Sequence, residues 1–306
     1  DVTQAWNPDA PSLVIHRNNG VTFTVLTPGT VQGGSIVAGQ GGPASLAGRE
    51  ALAPRAMFVD LGGDANDLSG GSRAAQFMLL RQALVEARAP NLVMVHDDRL
   101  LSPSGRQVLL EFLKGGGVFV FDVDRAVDIR RTIEFVQAEK LRAVIRGGAE
   151  AWRLAPELAA ARIPVFLDPL DNLPGSFDTV GATMYNAARL NAAGVTVGVA
   201  LRSSVVYEAG KTRQAAGNAV AHGLPWAAGL DAITRVPAEI FGVGDRFAHA
   251  HVDRDLDDLR HFHRVRDVEV LAELRHYVLA VILLQPCHAD VPVPVTLKRR
   301  PLRRST

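Results

Sequence analysis

Pro164-Val-Phe-Leu-Asp-Pro-Leu-Asp-Asn-Leu-Pro174 is the stretch on which the fold turns. Val165–Leu167 is a short apolar run of the kind that forms a strand buried on both faces. Asp168-Pro169 ends it, because proline cannot donate to a sheet ladder and restricts the residue before it. A loop rich in Pro, Asp and Asn follows. From Ser176 onward, Phe177, Val180, Met184, Ala187 and Ala188 recur at helical spacing, which predicts a helix terminated by Gly194. Val195–Ala200 reads as the next strand. Strand, polar loop, helix, strand is one βαβ unit, and its loop lies at the carboxyl end of the strand, where α/β folds keep their chemistry.

The same rhythm extends outward. Val118–Phe121 is an apolar strand ending in Asp122-Val-Asp-Arg125, and Ala126–Glu139 is a helix with Val127, Ile129, Ile133 and Val136 inward. Ala143–Ile145 is a strand ending in Arg146-Gly-Gly148. Glu150–Arg162 is helical, with Pro156 either kinking it or marking its true start. From 118 to 240 there is no hairpin signal, so the sheet is parallel, either closed as a barrel or open and doubly wound. Upstream, Val21–Leu26 and Ala56–Leu61 are strands, and Asn91–His96 is a short strand candidate. Ser72–Ala87 is a helix with Ala75, Met78, Leu79, Ala83 and Val85 apolar, and Ser104–Leu113 is a helix stopped by Gly115-Gly-Gly117. Pro28–Gly48 is rich in glycine and holds a short strand candidate, Ser35–Ala38. It lacks the Lys-Ser/Thr of a phosphate loop and the GxGxxG that opens a nucleotide-binding helix. Its glycines therefore mark a turn-rich hairpin region.

Of 306 residues, 47% are hydrophobic, enough to bury a full α/β core. A net charge of +1 implies no bulk attraction to nucleic acid or anionic lipid. Cys287 is the single cysteine, which excludes a disulfide framework. The longest apolar run, Tyr277–Leu284, is too short to span a bilayer. The chain starts at Asp1 without methionine, so a processed or truncated N-terminus is expected, and compartment cannot be read.

Charged residues recur at successive strand ends: Asp122, Asp124 and Arg125, then Arg146, Asp168 and Arg202. In a barrel these meet around one mouth. Asp122 and Asp168 are the candidate acid and base, and Arg125, Arg146 and Asn172 the candidate substrate-binding groups. Asp122, Arg125, Arg146, Asp168 and Asn172 are expected to converge at one end of the sheet.

Leu224-Pro-Trp226 and Ala232-Ile-Thr-Arg-Val-Pro-Ala-Glu-Ile-Phe-Gly242 resemble the closing helix and turn of amidohydrolase-superfamily barrels, in particular the imidazolonepropionase-like group. Gly147-Gly-Ala-Glu-Ala-Trp152, Leu167–Pro174, Ser176-Phe-Asp178 and Ala216-Gly-Asn-Ala-Val-Ala221 are similar to the same group. Val236 stands where that group carries Asn. The resemblance implies a distorted (β/α)8 barrel of metal-dependent hydrolase type, acting on non-peptide C–N bonds of small or cyclic amides with zinc or another divalent metal.

The departures concern the metal. The implied first-strand His-x-His is absent before residue 245, and the first strand is expected to precede Asp1. Asp122 stands where a ligand His is implied, and another such His is replaced around Gly147. Leu201–Val206 offers no Asp to activate water. Tight zinc needs at least three converging ligands, so no cofactor is expected in this chain. Residues 1–245 form the expected barrel domain. Residues 246–306 form an atypical tail with six of the nine histidines, among them His249, His251, His261 and His263. Its abrupt loss of family pattern would also fit a shifted reading frame. The expected partners are a small-molecule ligand and a second copy or an active paralogue, with no nucleic acid and no membrane. A binding or partner subunit is the alternative to a hydrolase.

Overall fold

The computed structural model describes residues 1–30, 34–48, 50–52, 55–89, 99–171, 173–202, 211–247 and 279–282. The strands are β1 (Val21–Leu26), β2 (Val37–Ser45), β3 (Glu50–Ala51), β4 (Arg55–Asp60), β5 (Gly117–Val123), β6 (Ala143–Gly147), β7 (Val165–Leu167), β8 (Val197–Val199) and β9 (Leu279–Ile282). The helices are α1 (Pro11–Asn18), α2 (Arg73–Arg88), α3 (Pro103–Glu111), α4 (Ala126–Glu139), α5 (Ala155–Ala161), α6 (Asn186–Ala192), α7 (Thr212–Ala221), α8 (Trp226–Ile233), α9 (Arg235–Ile240) and α10 (Gly244–Phe247).

The sheet runs β8-β7-β6-β5-β4-β2-β1-β9, with β3 on β2. From β4 to β8 every strand pairs in parallel with the next in sequence. A doubly wound sheet needs a reversal of strand order, and none occurs in this stretch. β1, β2 and β4 pair antiparallel, so the glycine-rich region is the hairpin its composition predicts. The sheet is parallel-rich and curled into a half-barrel. Among the described residues its path stays open between β8 and β9, so the expected (β/α)8 barrel is realised only as this curled wall.

Period-two alternation assigns the two faces. Met57, Val59, Phe119, Phe121, Ile145, Val165, Leu167 and Val197 pack against Leu80 and Leu84 of α2, Leu109 of α3, Ile129, Ile133 and Val136 of α4, Leu158 of α5 and Leu190 of α6. The alternate residues Phe23, Val25, Ala56, Phe58, Val118, Val120, Val144 and Phe166 line the inner face, which is filled by Val236, Ala238 and Phe241 from α9 and its end. Val236 is 4% exposed in this apolar cluster, a place where its hydrocarbon side chain fits without a hydrogen-bond partner. The Phe166 ring lies 5.9 Å from that of Phe241. It also fills the space where a side chain at position 198 would begin, since a Cβ there would stand 2.4 Å from the ring, so β8 carries glycine.

Several expectations are corrected. The helix expected from Ser176 is not formed until Asn186. Residues 175–185 run through turns held by Ser176 and Thr179, and Phe177 is 93% exposed. On α2 the buried side chains include Gln76, Leu80, Leu84 and Glu86, while Met78 and Val85 face solvent. Gln76 exchanges two hydrogen bonds with the backbone of Gly62, and Glu86 accepts from the backbone of Leu100 and Leu101. Buried polar residues with such partners invert an apolar-face reading. Val127, at the start of α4, is exposed. Pro156 sits in the first turn of α5 and marks its start. β9, within the tail, pairs in parallel with β1. Asn91–His96, Asn172 and the tail's histidines lie outside the described residues.

Candidate functional site

The inner-face alternation continues past the apolar residues to the carboxyl ends of the strands. There the inward positions are polar: Asp60 on β4, Asp122 on β5, Arg146 on β6, and beyond the strand ends Asp124, Asp168 and Arg202. Strand register sets Asp60 beside Asp122 and Asp122 beside Arg146. Arg146 Nε donates to Asp122 Oδ2 at 3.0 Å, and Nη2 donates to the same oxygen. Arg202 Nη2 stands 3.3 Å from Asp122 Oδ1, and its Nη1 donates to Asp124 Oδ2. Its backbone N–H donates to Asp168 Oδ2 at 2.8 Å, while Leu170 N donates to Asp168 Oδ1 at 3.0 Å. Arg146 also lies 5.6 Å over the Phe58 ring, which places the guanidinium between the apolar interior and the polar mouth.

These contacts separate the carboxyls. Burial alone would raise Asp122, but Arg146 and then Arg202 outweigh it and hold that carboxyl below the ordinary range. Asp60 is pushed up by burial and by the charge of Asp122, against a hydrogen bond from Thr30. Asp124 is raised by burial, which Arg202 only partly offsets, with Asp122 adding to the rise. Asp168 is raised by burial despite its two backbone donors, and Asp171 adds to it. Arg202 is driven above its ordinary value, chiefly by Asp122, so it is a fixed cation.

A frame around the mouth orders the loops. Arg73 on α2 bridges Asp128 and Asp178, and Asp178 also accepts from Gly63 N. Glu150 accepts from Ala126 N and from Gly181 N, and Trp152 Nε1 donates to Gly181 O at 2.9 Å. The loop after β7 is thereby tied to the loops after β4, β5 and β6. Asn186, at the start of α6, donates through Nδ2 to the backbone oxygens of Gly148 and Ala149.

Of the expected site residues, Asp122, Arg146 and Asp168 come together at the mouth. Arg125 does not join them: it turns to Asp128 on α4, at 3.2 Å. Asn172 lies outside the described residues. Asp122, expected as one of an acid–base pair, is occupied in holding two guanidiniums, and Asp124 is the carboxyl that shares a cavity with Asp168. Asp60 was not among the expected site residues, because it lies inside the stretch read as the strand Ala56–Leu61. Asp178 stood in a segment singled out by resemblance, but its pairing with Arg73 left no local signal, because the two meet across 105 residues of sequence.

The metal implied by the sequence resemblance does not fit these side chains. Among the described residues no group of three or more His, Cys, Asp or Glu is arranged to hold an ion. Both oxygens of Asp122 face guanidinium groups, where a second cation would be repelled. At Gly147 the backbone φ is +91°, and a Cβ would lie 2.7 Å from Asp124 Oδ1 and 2.9 Å from Arg202 Nη1. A side chain there would strain the backbone and require Asp124 and Arg202 to move aside. His222 is engaged at the end of α7, with Nδ1 2.7 Å from the carbonyl of Asn218.

No protein-family model matches the chain, and no curated protein matches it. Among solved structures, the crystal structure of an amidohydrolase from Thermotoga maritima MSB8 superimposes with a TM-score of 0.68 at 21% sequence identity, over 79% of this chain and 66% of that one. The chain shares the fold of that amidohydrolase. It spans a little under two thirds of that protein's length. The shared fold places the mouth of Asp122, Arg146, Asp168 and Arg202 at the carboxyl ends of the parallel strands, the end at which barrel enzymes carry their chemistry.

Proposed function

We propose that this chain is an amidohydrolase-type half-barrel of the imidazolonepropionase-like kind that receives a small polar ligand at its mouth without a metal, as a binding or partner subunit. One observation carries the reading: Asp122, on the strand end where a metal ligand is implied, accepts from Arg146 through Oδ2 and turns Oδ1 toward the Arg202 guanidinium at 3.3 Å. A guanidinium supplies fixed positive charge and directed donors. It offers no open coordination position from which water could be activated, which is what a catalytic metal provides. Association with a second copy or a paralogue is supported by the exposed Leu173, Phe177 and Val180 on the loop after β7. Elemental analysis of the dialysed full chain tests the reading. Substoichiometric zinc is expected, and near-equimolar zinc surviving dialysis would overturn it.

A second reading is favoured by Asp124 and Asp168. Burial raises both carboxyls above the ordinary aspartate value and both line one cavity, an arrangement that suits an acid–base pair. In that reading the chain cleaves or isomerises a small cyclic amide without metal. Asp168→Asn would then abolish turnover of a cyclic-amide panel. Turnover unchanged in that variant would remove Asp168 from the mechanism.

A further inference from the structure

We infer that residues 173–185 form a strap that closes the mouth and swings aside as one piece to admit a ligand, held shut by Arg73 on Asp178 and by Glu150 on Gly181. This rests on the mouth being the ligand site, as proposed above, and adds how that site is entered.

The cavity at the mouth has room for about one water-sized group, so any larger ligand needs one wall to move. Most of its walls are fixed. Asp124, Gly147 and Asp168 lie on or just after strands of the sheet. Arg202 is held by Asp122 and Asp124, and Asn186, 1% exposed, donates to Gly148 O and Ala149 O. Thr179, the remaining wall, stands on the strap. Among the described residues, none of 173–185 belongs to an apolar cluster of the core. Leu173, Phe177 and Val180 face solvent. Moving the strap therefore takes little apolar surface out of the interior, and the hydrophobic effect does little to oppose it.

The strap also carries its own order. Thr179 Oγ1 accepts from Gly175 N and Ser176 N, each at 3.0 Å. Ser176 Oγ accepts from Asp178 N at 3.2 Å, and Ala182 N donates to Thr179 O at 2.9 Å. These bonds are internal and survive a swing. The flanks are anchored, since Asn218 donates to Pro169 O before the strap and Asn186 holds the wall after it. The middle is joined to the wall by polar contacts: Asp178 accepts from Arg73 and from Gly63 N at 2.6 Å, and Gly181 N donates to Glu150 Oε1 at 2.7 Å. Glycine marks both docking points. A Cβ at position 63 would stand 2.9 Å from Asp178 Oδ2, and one at position 181 would stand 2.5 Å from Glu150 Oε1. Each carboxylate closes onto backbone that glycine leaves bare.

Hydrogen exchange on the unaltered chain tests the swing. The Gly63 and Gly181 amides, tied to opposite sides of the strap, should exchange with opening constants within about threefold of each other and well above that of Gly148 N, which bonds to Val123 O. A thiol reporter tests access. Cys287 is the single native cysteine, so Ala149→Cys in a Cys287→Ser chain places one thiol on the cavity wall. Asp178→Ala should speed its alkylation by iodoacetamide about tenfold or more, the loss of a charge-assisted contact from the closed state. Gly181→Ala, which forces Glu150 aside, should speed it too. Added salt should speed it more in the Asp178 parent than in Asp178→Ala, because it screens the partly exposed latch. A reporter at Ala232→Cys, fully buried in a separate apolar cluster, should not respond to Asp178→Ala. Opening constants for Gly63 and Gly181 that differ by more than about tenfold, alkylation unchanged in both latch variants, or a rise matched at the Ala232 reporter would overturn the strap. These measurements use no ligand and no metal, so their failure sinks the strap alone, whereas equimolar zinc after dialysis sinks the metal-free reading of the mouth.

Discussion

Arg146→Met removes a guanidinium whose side chain is 5% exposed from a carboxylate that is 15% exposed. Methionine keeps much of the apolar stem over Phe58, so the change acts chiefly on charge. Asp122 retains one ion partner, Arg202, at 3.3 Å. Stranding one member of a buried pair costs about 3–5 kcal/mol, and the remaining partner places this case at the lower end, about 3 kcal/mol. At roughly 2–4 °C per kcal/mol the melting midpoint should fall by roughly 6–12 °C. Replacing both members by apolar groups is often near neutral, so Arg146→Met combined with Asp122→Leu should recover at least about half of the loss. Urea unfolding of the wild type, both single variants and the double variant, followed by circular dichroism, closes the cycle. A single variant within about 0.5 kcal/mol of wild type, or a double variant as unstable as the two singles added together, would refute the coupling of Arg146 to Asp122.

Three further outcomes follow from the same geometry. Asp60, Asp124 and Asp168 have raised folded-state pKa values, so the folded chain binds those protons more readily than the unfolded chain, and stability should rise as pH falls from neutral toward the ordinary aspartate value of about 3.9. Asp122 is held low, so its contribution is complete above about 3.9 and is lost as pH falls further; urea midpoints should peak on the acid side of neutral, and a curve still climbing at pH about 8 in wild type and in Asp124→Asn/Asp168→Asn alike would contradict these assignments. Gly198→Ala drives a methyl group into the Phe166 ring and should cost about 1–3 kcal/mol by thermal melting, whereas an unchanged midpoint would show that the inner face is looser than described. Glu150→Leu releases the amides of Ala126 and Gly181 and should speed proteolytic cutting within the loop after β7, with cleavage elsewhere unchanged; protection equal to wild type would show that Trp152 and Arg73 hold the loop unaided.

The central parallel wall was legible because its strands obey simple rules. Val118–Phe121, Ala143–Ile145 and Val165–Leu167 are apolar, short and closed by charge, and each lies where its pattern puts it. α4 was equally clear, running from Ala126 to Glu139. The readings failed where polar residues were buried with partners. Gln76 and Glu86 turned the apparent solvent face of α2 inward. Phe177, Val180 and Met184 have helical spacing, yet Asp178 is drawn to Arg73 and Gly63, and that contact outweighs a helix with no core to cover. At the mouth, the strand-end rule located Asp122, Arg146, Asp168 and Arg202 but could not show which oxygen meets which guanidinium. That pairing sets Asp122 between two guanidiniums and leaves Asp124, held by Arg202 and the Ala149 amide, at the cavity it shares with Asp168. Arg125 shows the limit of the rule: one residue past Asp124, it belongs to the helix that follows and pairs with Asp128.

The pairing of Val21 with Leu279 bears on how the chain assembles. β4 to β8 dock neighbour by neighbour, so that wall can grow as the polypeptide emerges from the ribosome. β1 is made early and has β2 on one side, while its other edge waits for β9, encoded more than two hundred residues later. Throughout that interval Val21–Leu26 presents an unpaired row of amides and carbonyls on an apolar segment, an open template for another nascent strand. Closing so distant a contact is slow compared with local docking. Yield in a host cell should therefore depend on chaperones that shield this edge and on slower synthesis at low temperature, and chains cut short before Leu279 should accumulate in inclusion bodies even though the wall and its mouth are already complete.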